Sequence, residues 1–159
     1  MSRNDANVRA FAAALDQRFA EVDEKLTEIF RESISMTVQN IVGPGDYGPG
    51  VPVDTGALRS SFSLGIGGPG AAGEGAASIG AGLLASVRLQ DSVFFTSHLN
   101  YAEWVELGRT RNGGQMQRRT SAQQLGRLKG TGGSTAYLQP VLDHWPRIVQ
   151  DAVQSVGEP

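Results

Sequence analysis

Apolar residues recur every three or four positions along the N-terminal quarter of the chain, with polar residues between them. The first stripe consists of Phe11, Leu15, Phe19, Val22, Leu26 and Ile29. A neighbouring stripe consists of Phe30, Ile34, Val38 and Ile41. This spacing predicts one long amphipathic helix over residues 1–42. Asn4 or Asp5 can cap its start, and Gly43-Pro44 ends it because proline cannot continue the hydrogen-bond ladder.

The predicted helix is long for a chain of this size. About 35 helical residues span about 50 Å, whereas a compact chain of this length has a diameter of about 40 Å. We therefore expect the helix to extend beyond its own domain. Two arrangements remain open: a helix that packs partly on another subunit, or a kinked or shorter helix wholly inside the monomer. In the first, the candidate inter-subunit residues are Phe30, Ile34, Val38 and Ile41.

The middle of the chain alternates between apolar and polar residues with a period of two. Residues 43–60 form a turn-rich linker, GPGDYGPGVP, and a short helix. Residues 61–100 are predicted to form a small antiparallel sheet, in which the Gly/Ala-rich segment 65–82 is the tip of a long hairpin. The predicted strands are residues 62–66, 85–89 and 93–99.

The C-terminal third contains two further helical patterns. YAEWVELG, residues 101–108, predicts a short helix, residues 109–134 form a loop, and residues 135–155 predict a C-terminal helix. Pro140 suits the first turn of that helix, whereas Pro146 must kink it because proline has no N–H for the carbonyl of Leu142. Together these elements predict one α+β domain, with a long N-terminal helix and a C-terminal helix packed on the small sheet.

Composition narrows the possible chemistry. The 159 residues suit one domain, and 21 glycines indicate much loop or hairpin. There is no cysteine for a disulfide or thiolate zinc site, and two histidines cannot fill a metal shell alone, so we expect no metal or cofactor. The start, MSRNDANVRAFAAALD, has no apolar signal core, and no stretch approaches the length of a membrane span. We expect a soluble protein of a reducing compartment.

The charges are distributed unevenly. Between Glu106 and Asp143 the chain carries six basic residues and no acidic one, so this loop has a charge of +6 and the remainder −8. Two interpretations stay open: the loop contacts nucleic-acid phosphates, or it docks on an acidic neighbour or subunit. Its lack of interleaved aromatic residues argues against a reader of single strands. The six residues are Arg109, Arg111, Arg118, Arg119, Arg127 and Lys129.

The stretch VPVDTGALRSSF contains the Asp-Thr-Gly-Ala signature of aspartic proteases. A homodimeric protease would use Asp54 from each chain, so that two carboxylates share a proton. However, a Gly/Pro linker rather than a strand precedes Asp54. The alternative is that Asp54 or Thr55 caps a short helix leading into the first strand. We favour the cap.

Other candidate motifs carry little chemistry. Gly65, Gly67 and Gly70 fit G-x-G-x-x-G, but no amphipathic helix follows to bind a phosphate. Glu103 and Glu106 lie three apart on one helix, where a solvated helix face explains them. His98 and His144 stand in no evident nucleophile context and are expected to be packed or rim residues. We therefore predict no catalytic residue.

Taken in chain order, these segments resemble a known family. A long N-terminal helix, VDTGALRSSF, strands ending in NYAEWVELGRT, a variable loop and AYLQPVLDHW are similar to the neck or tail-completion proteins of long-tailed double-stranded DNA phages, also labelled minor tail or head-tail joining proteins. The resemblance depends on order and spacing. It departs from the family where Arg109 separates Gly108 from Thr110 and where the insertion 65–82 is long. The matching positions are Asp54, Thr55, Gly56, Leu58, Tyr101, Ala102, Glu106, Gly108, Thr110, Leu138 and Pro140.

The resemblance implies a structural virion protein without enzymatic activity. Such a subunit would form a ring with copies of itself between connector or head-completion proteins and the tail terminator or tail tube, after assembly in the host bacterial cytoplasm. A sixfold ring, which we favour, would match a tail tube, and a twelvefold ring would match a portal. Genomic double-stranded DNA would pass through it, with non-specific contact possible. The hairpin and the basic loop would become ordered only against neighbours.

Overall fold

The computed structural model describes residues 3–51, 56–71, 81–107 and 137–157. Two strands, β1 (Phe62–Ile66) and β2 (Val93–Ser97), form the sheet of the described chain. With the helices around them they give an α+β fold, as predicted. The helices are α1 (Arg3–Val42), α2 (Ala57–Ser60), α3 (Ala81–Ser86), α4 (Ala102–Glu106), α5 (Gln139–Asp143) and α6 (Trp145–Gly157).

The long helix α1 is confirmed, and it divides into two halves. It contains 40 residues and is therefore about 60 Å long. Residues 6–26 are all exposed, whereas the part from Thr27 onward packs against the rest of the chain, chiefly along α6. The alternative of a helix wholly inside the monomer is thus wrong. We call residues 6–26 the overhanging half of α1.

The linker after α1 folds back over the end of the helix. The backbone N–H of Val51 donates to the carbonyl of Ile41 at 2.7 Å, and Nε of Arg59 donates to the carbonyl of Val42 at 2.8 Å. These carbonyls belong to the last turn, which lacks partners within the helix, and a positive charge is favourable there. Arg59 therefore ties the segment before β1 to the end of α1.

The sheet contains two strands where the sequence pattern predicted three. β1 and β2 pair in antiparallel register, from Phe62 opposite Ser97 to Ile66 opposite Val93. The predicted strand at residues 85–89 is wrong: that stretch is the end of α3 followed by a turn, in which the Arg88 N–H donates to an Asp91 carboxylate oxygen at 2.7 Å. Alanine and leucine, which dominate α3, have high helix propensity, and their local preference outweighs a five-residue alternation.

The predicted Gly-rich hairpin tip at 65–82 is not confirmed. Gly65 belongs to β1 and pairs with Phe94, Gly82 lies in α3, and residues 72–80 are outside the described part. Gly65 is required by a close backbone approach, since a Cβ there would lie 2.1 Å from the carbonyl oxygen of Gly68. The chain thus turns sharply at the end of β1 rather than continuing as a long ladder.

The short helices agree with most of the sequence predictions. α4 lies within the predicted 101–108 segment and spans Ala102–Glu106. Pro140 lies in the first turn of α5, and the C-terminal helix is interrupted at His144, two residues before Pro146, so the predicted kink is confirmed. The short helix predicted within residues 43–60 is α2, which begins at Ala57. Its N-cap position is Gly56, at φ 78°, rather than Asp54 or Thr55, which lie outside the described residues.

The core lies between α1, the sheet and the C-terminal helices, in two adjoining clusters. Both clusters receive residues from β1, whose Phe62 and Leu64 are almost completely buried. The main cluster comprises Ile41, Tyr47, Val51, Leu58, Phe62, Val105, Tyr137, Val141 and Ile148. The smaller cluster comprises Ile34, Val38, Leu64 and Val87. Val87 is buried although it belongs to neither strand.

Candidate functional site

The overhanging half of α1 carries a row of large apolar side chains that the described part of the chain does not cover. Their exposed fractions lie between 42% and 69%. An isolated helix is marginally stable in water, and helices in proteins are held mainly by packing of their apolar face. Large exposed apolar patches mark interaction sites. We call this set the exposed stripe: Val8, Phe11, Leu15, Phe19, Val22 and Leu26.

The residues predicted to form the inter-subunit face lie elsewhere. Ile34, Val38 and Ile41 are only 6%, 8% and 3% exposed, because they pack into the two core clusters of their own chain. Phe30 is half-buried against the smaller cluster. The prediction was wrong on this point: this second apolar stripe joins α1 to its own domain, and the first stripe is the one that stays free.

A carboxylate joins α4 to the start of α5. One oxygen of Glu106 accepts hydrogen bonds from the backbone N–H groups of Tyr137 and Leu138 at 2.8 and 3.0 Å, and the other accepts from Gln139 at 3.1 Å. These N–H groups lie at the N-terminus of α5, on its first residue, its N-cap and the residue before the cap, where intrahelical acceptors are lacking and negative charge is favoured. Glu106, a residue of α4, thus caps the N-terminus of α5. We call these three bonds the Glu106 clamp.

The Glu106 clamp brings together the segments on either side of residues 108–136. Residues 108–136, which include the whole basic loop, are outside the described part. Glu106 and Gln139 are separated by 33 positions in sequence, yet they are directly bonded. The predicted solvated role of Glu106 is therefore wrong, since its carboxylate is half-buried and fully engaged. Glu103, by contrast, is exposed as expected.

Tyr137 is the aromatic centre of the clamp. Its side chain is 1% exposed and meets the ring of Phe62 edge-on, with centroids 5.9 Å apart. Phe62 in turn stacks on Phe95 at 4.7 Å. Burial, and to a smaller extent the negative charge of Glu106, raises the pKa of Tyr137 from 10.0 to about 12. The clamp and the main core cluster are thus one structural unit.

We expect the raised pKa of Tyr137 to make stability depend on alkaline pH. The folded state holds this proton more tightly than the unfolded state, so the contribution is complete below about pH 10 and is lost as the pH rises to about 12. Urea unfolding across this range, compared between the native chain and Tyr137→Phe, measures it. The native chain should lose stability more steeply than the variant, and equal slopes would contradict the assignment.

Several family-motif positions converge on the main core cluster. Leu58 is buried in it, and Tyr101, Ala102 and Leu138 pack against it. Glu106 bonds to the backbone of Leu138, and Pro140 opens the adjoining helix α5. Segments that are distant in sequence therefore meet at one place, and the described motif residues contribute to packing and backbone hydrogen bonding.

One serine–histidine contact was missed by the sequence patterns. Oγ of Ser63 lies 2.8 Å from Nε2 of His98, a distance typical of a nucleophile and its base. Ser63 is 0% exposed, however, and a Cβ added at Gly70 would lie 2.8 Å from its Oγ, so no substrate atom can approach. The contact fastens the end of β2 to β1. Only the strand register, which brings residues 63 and 96 opposite each other, would have revealed it.

Many predicted site residues lie outside the described part of the chain. These are the proposed cap residues Asp54 and Thr55, the motif positions Gly108 and Thr110, and the basic residues Arg109, Arg111, Arg118, Arg119, Arg127 and Lys129. Within residues 3–51, 56–71, 81–107 and 137–157, no group of three or more His, Asp or Glu side chains is arranged to hold a metal ion. None of the helices described there combines the length and apolar content needed to cross a bilayer.

Comparison with protein-family models, with curated protein sequences and with solved structures found no match. The arguments for function therefore come from the residues themselves, of which the exposed stripe and the Glu106 clamp are the most specific.

Proposed function

We propose that this chain is a structural protein of the neck of a long-tailed double-stranded DNA phage. Copies of it form a ring between the connector or head-completion proteins and the tail terminator or tail tube, and DNA passes through the ring. The proposal assigns no catalytic role to any residue. The observation that carries it is the exposed stripe, because six large apolar side chains that the described residues leave exposed suit a subunit to assembly.

The division of α1 supports assembly through a rigid arm. Its C-terminal half is fastened to the core by Ile34, Val38 and Ile41, and its end is held by Arg59. The overhanging half, about 30 Å long, is therefore directed away from the domain by a continuous helix rather than by a flexible linker. A rigid arm of this kind reaches a neighbour in a fixed direction, as a closed ring requires.

The motif positions support the family resemblance in a second way. Leu58, Tyr101, Glu106 and Leu138, which are spread over more than half of the chain, meet around the main core cluster. The resemblance is explained if these residues specify this fold, in which the Glu106 clamp joins the segments before and after residues 108–136. A fold specified in this manner can carry different loops for different neighbours.

Electron microscopy tests the proposal. Purified full-length protein should form closed rings, with sixfold symmetry if it matches a tail tube and twelvefold if it matches a portal. Antibodies against the chain should label the head-tail junction in virions of the phage that encodes it. Labelling of capsid faces or tail fibres instead, or no labelling of particles, would contradict the neck assignment.

The positive charge of the loop favours one further role, contact with DNA. The segment between Glu106 and Asp143 carries +6 against −8 elsewhere. If the loop lines the DNA path, affinity for duplex DNA should fall steeply as salt is raised, because each phosphate contact releases counterions. An affinity for DNA that changes little with salt would contradict the hypothesis of DNA contact. The loop would then be assigned to docking on another protein.

A further inference from the structure

We propose that residues 8–29 of α1 associate in parallel and in register with the same segment of further copies of this chain. This inference specifies the occupant of the exposed stripe, and it rests on positions within α1 rather than on the phage assignment. It would hold equally for an assembly of another kind.

The spacing of the exposed stripe is that of a coiled-coil seam. With Ala12 in place of Phe11, apolar residues from Val8 onward alternate at steps of four and three, the pattern in which a and d positions of a heptad face a partner helix. The run covers a little over three heptads, enough to distinguish it from a short amphipathic patch. It ends where α1 enters its own core. In this frame, Ala12, Phe19 and Leu26 are a positions, and Val8, Leu15, Val22 and Ile29 are d positions.

The charges beside the seam select the orientation. Arg18 and Lys25 occupy g positions, and Arg9, Asp16 and Asp23 occupy e positions. In a parallel, in-register pair, each g residue faces the e residue five positions later on its partner, so Arg18 faces Asp23 of the other copy. An antiparallel pair of the whole segment would place g opposite g and e opposite e. Arg18 would then meet Arg18 and Asp16 would meet Asp16, and these two repulsive contacts would offset the attraction between Asp23 and Arg9. Parallel association is therefore favoured.

The charged side chains are free to make these contacts. Arg18 lies 3.1 Å from Glu21 of the same helix, but the Arg18 side chain is 80% exposed. An exposed ion pair of this type contributes little. If Arg18 leaves Glu21 and pairs with Asp23 of a neighbouring copy, little stability is lost and a contact between chains is gained.

The seam residues also favour more than two helices. β-branched residues at a with leucine at d favour dimers, whereas leucine at a with isoleucine at d shifts the preference toward three or four strands. Here three of the four d residues are β-branched, and Leu26 is an a residue. Phe11, at a g position, widens the apolar face further. Parallel helices in register share one rotation axis, which is the symmetry of a ring.

Cysteine cross-linking tests orientation and register. The chain has no cysteine, so Val8→Cys introduces a single thiol near one end of the seam. In the proposed arrangement two such thiols face each other and form a covalent dimer on mild oxidation. In an antiparallel pair they lie about 30 Å apart. Gln17→Cys, on the opposite face of α1, is the matched control, and equal cross-linking of both variants would overturn the proposal.

Two sets of variants test the seam and its charges. Phe19→Glu should reduce the mass measured by light scattering to that of smaller species, whereas Gln17→Glu should leave it unchanged. Because Phe19 is 64% exposed in the single chain, the Phe19→Glu substitution should leave the core folded. Arg18→Glu should weaken association about fivefold, and adding Asp23→Arg should restore it. An unaltered Phe19→Glu assembly, or no restoration by the second charge reversal, would overturn the inference.

The outcomes separate this inference from the proposed function. Rings that persist in Phe19→Glu would show that other surfaces assemble the protein, which leaves the neck assignment standing and removes the seam. A parallel helical bundle, formed by a protein that antibodies detect in no virion, would support the seam and contradict the neck assignment.

Discussion

Replacing Glu106 with alanine is expected to lower the free energy of unfolding by about 2–4 kcal/mol. The carboxylate is the acceptor for the backbone N–H groups of Tyr137, Leu138 and Gln139. The first two donors are partly buried and would be left without a partner, which costs more than the loss of an exposed bond. Urea unfolding, followed by circular dichroism at one protein concentration, measures the difference.

Graded substitutions distinguish the clamp from general effects of charge. Glu106→Gln keeps one acceptor oxygen and should lose about half as much stability as Glu106→Ala. Glu103→Gln, which removes the same charge from an exposed position on the same helix, should change stability by less than about 0.5 kcal/mol. If the Glu103 and Glu106 variants lose equal stability, the clamp does not hold the fold as described.

The pattern of the long helix could be read from the sequence because its periodicity extends over many turns. Forty residues of period-3.6 spacing leave no strand interpretation, and the mismatch between the helix and a compact domain correctly predicted an overhang. What the pattern could not show was which part would be covered. Both stripes are equally apolar, and only the tertiary structure shows that Ile34 and Val38 face the core while Phe11 and Phe19 do not.

The prediction of a third strand was wrong because it depended on a short stretch of alternating residues. Ala85, Val87 and Leu89 alternate with polar residues, but five positions also fit the end of a helix and a turn. In the structure Val87 is buried whereas Leu89 is 43% exposed, so the alternation does not correspond to a buried face. The preceding Ala-Gly-Leu-Leu favours α3, and within the described residues the sheet has two strands.

The Glu106 clamp and the Ser63–His98 contact could not be predicted from residue spacing alone. Each joins residues more than 30 positions apart, and the periodicity of one element does not show which distant residue it contacts. The family resemblance did include both Glu106 and Leu138, which was the one available signal that they act together. Nothing in it indicated that the partner of the carboxylate is the backbone.

Phe62 is expected to be the most sensitive apolar position of the sheet. Its ring is 2% exposed, is stacked on Phe95 with planes inclined by 8°, and meets Tyr137 edge-on. Phe62→Ala removes both aromatic contacts and leaves a cavity at the junction of β1, β2 and the clamp. Burial of this kind makes a Phe-to-Ala change cost about 3–5 kcal/mol.

Phe94→Ala is the matched control, because Phe94 lies on the paired strand β2 but is 40% exposed. It should cost less than about 1 kcal/mol, since little packing is lost. Both substitutions should be measured by urea unfolding in the Phe19→Glu background, where association between copies does not add to the apparent stability. A large loss for Phe62→Ala with an unchanged dependence on urea concentration would place the effect in the folded state. If the two variants lose the same stability, the aromatic cluster is not the centre of the core.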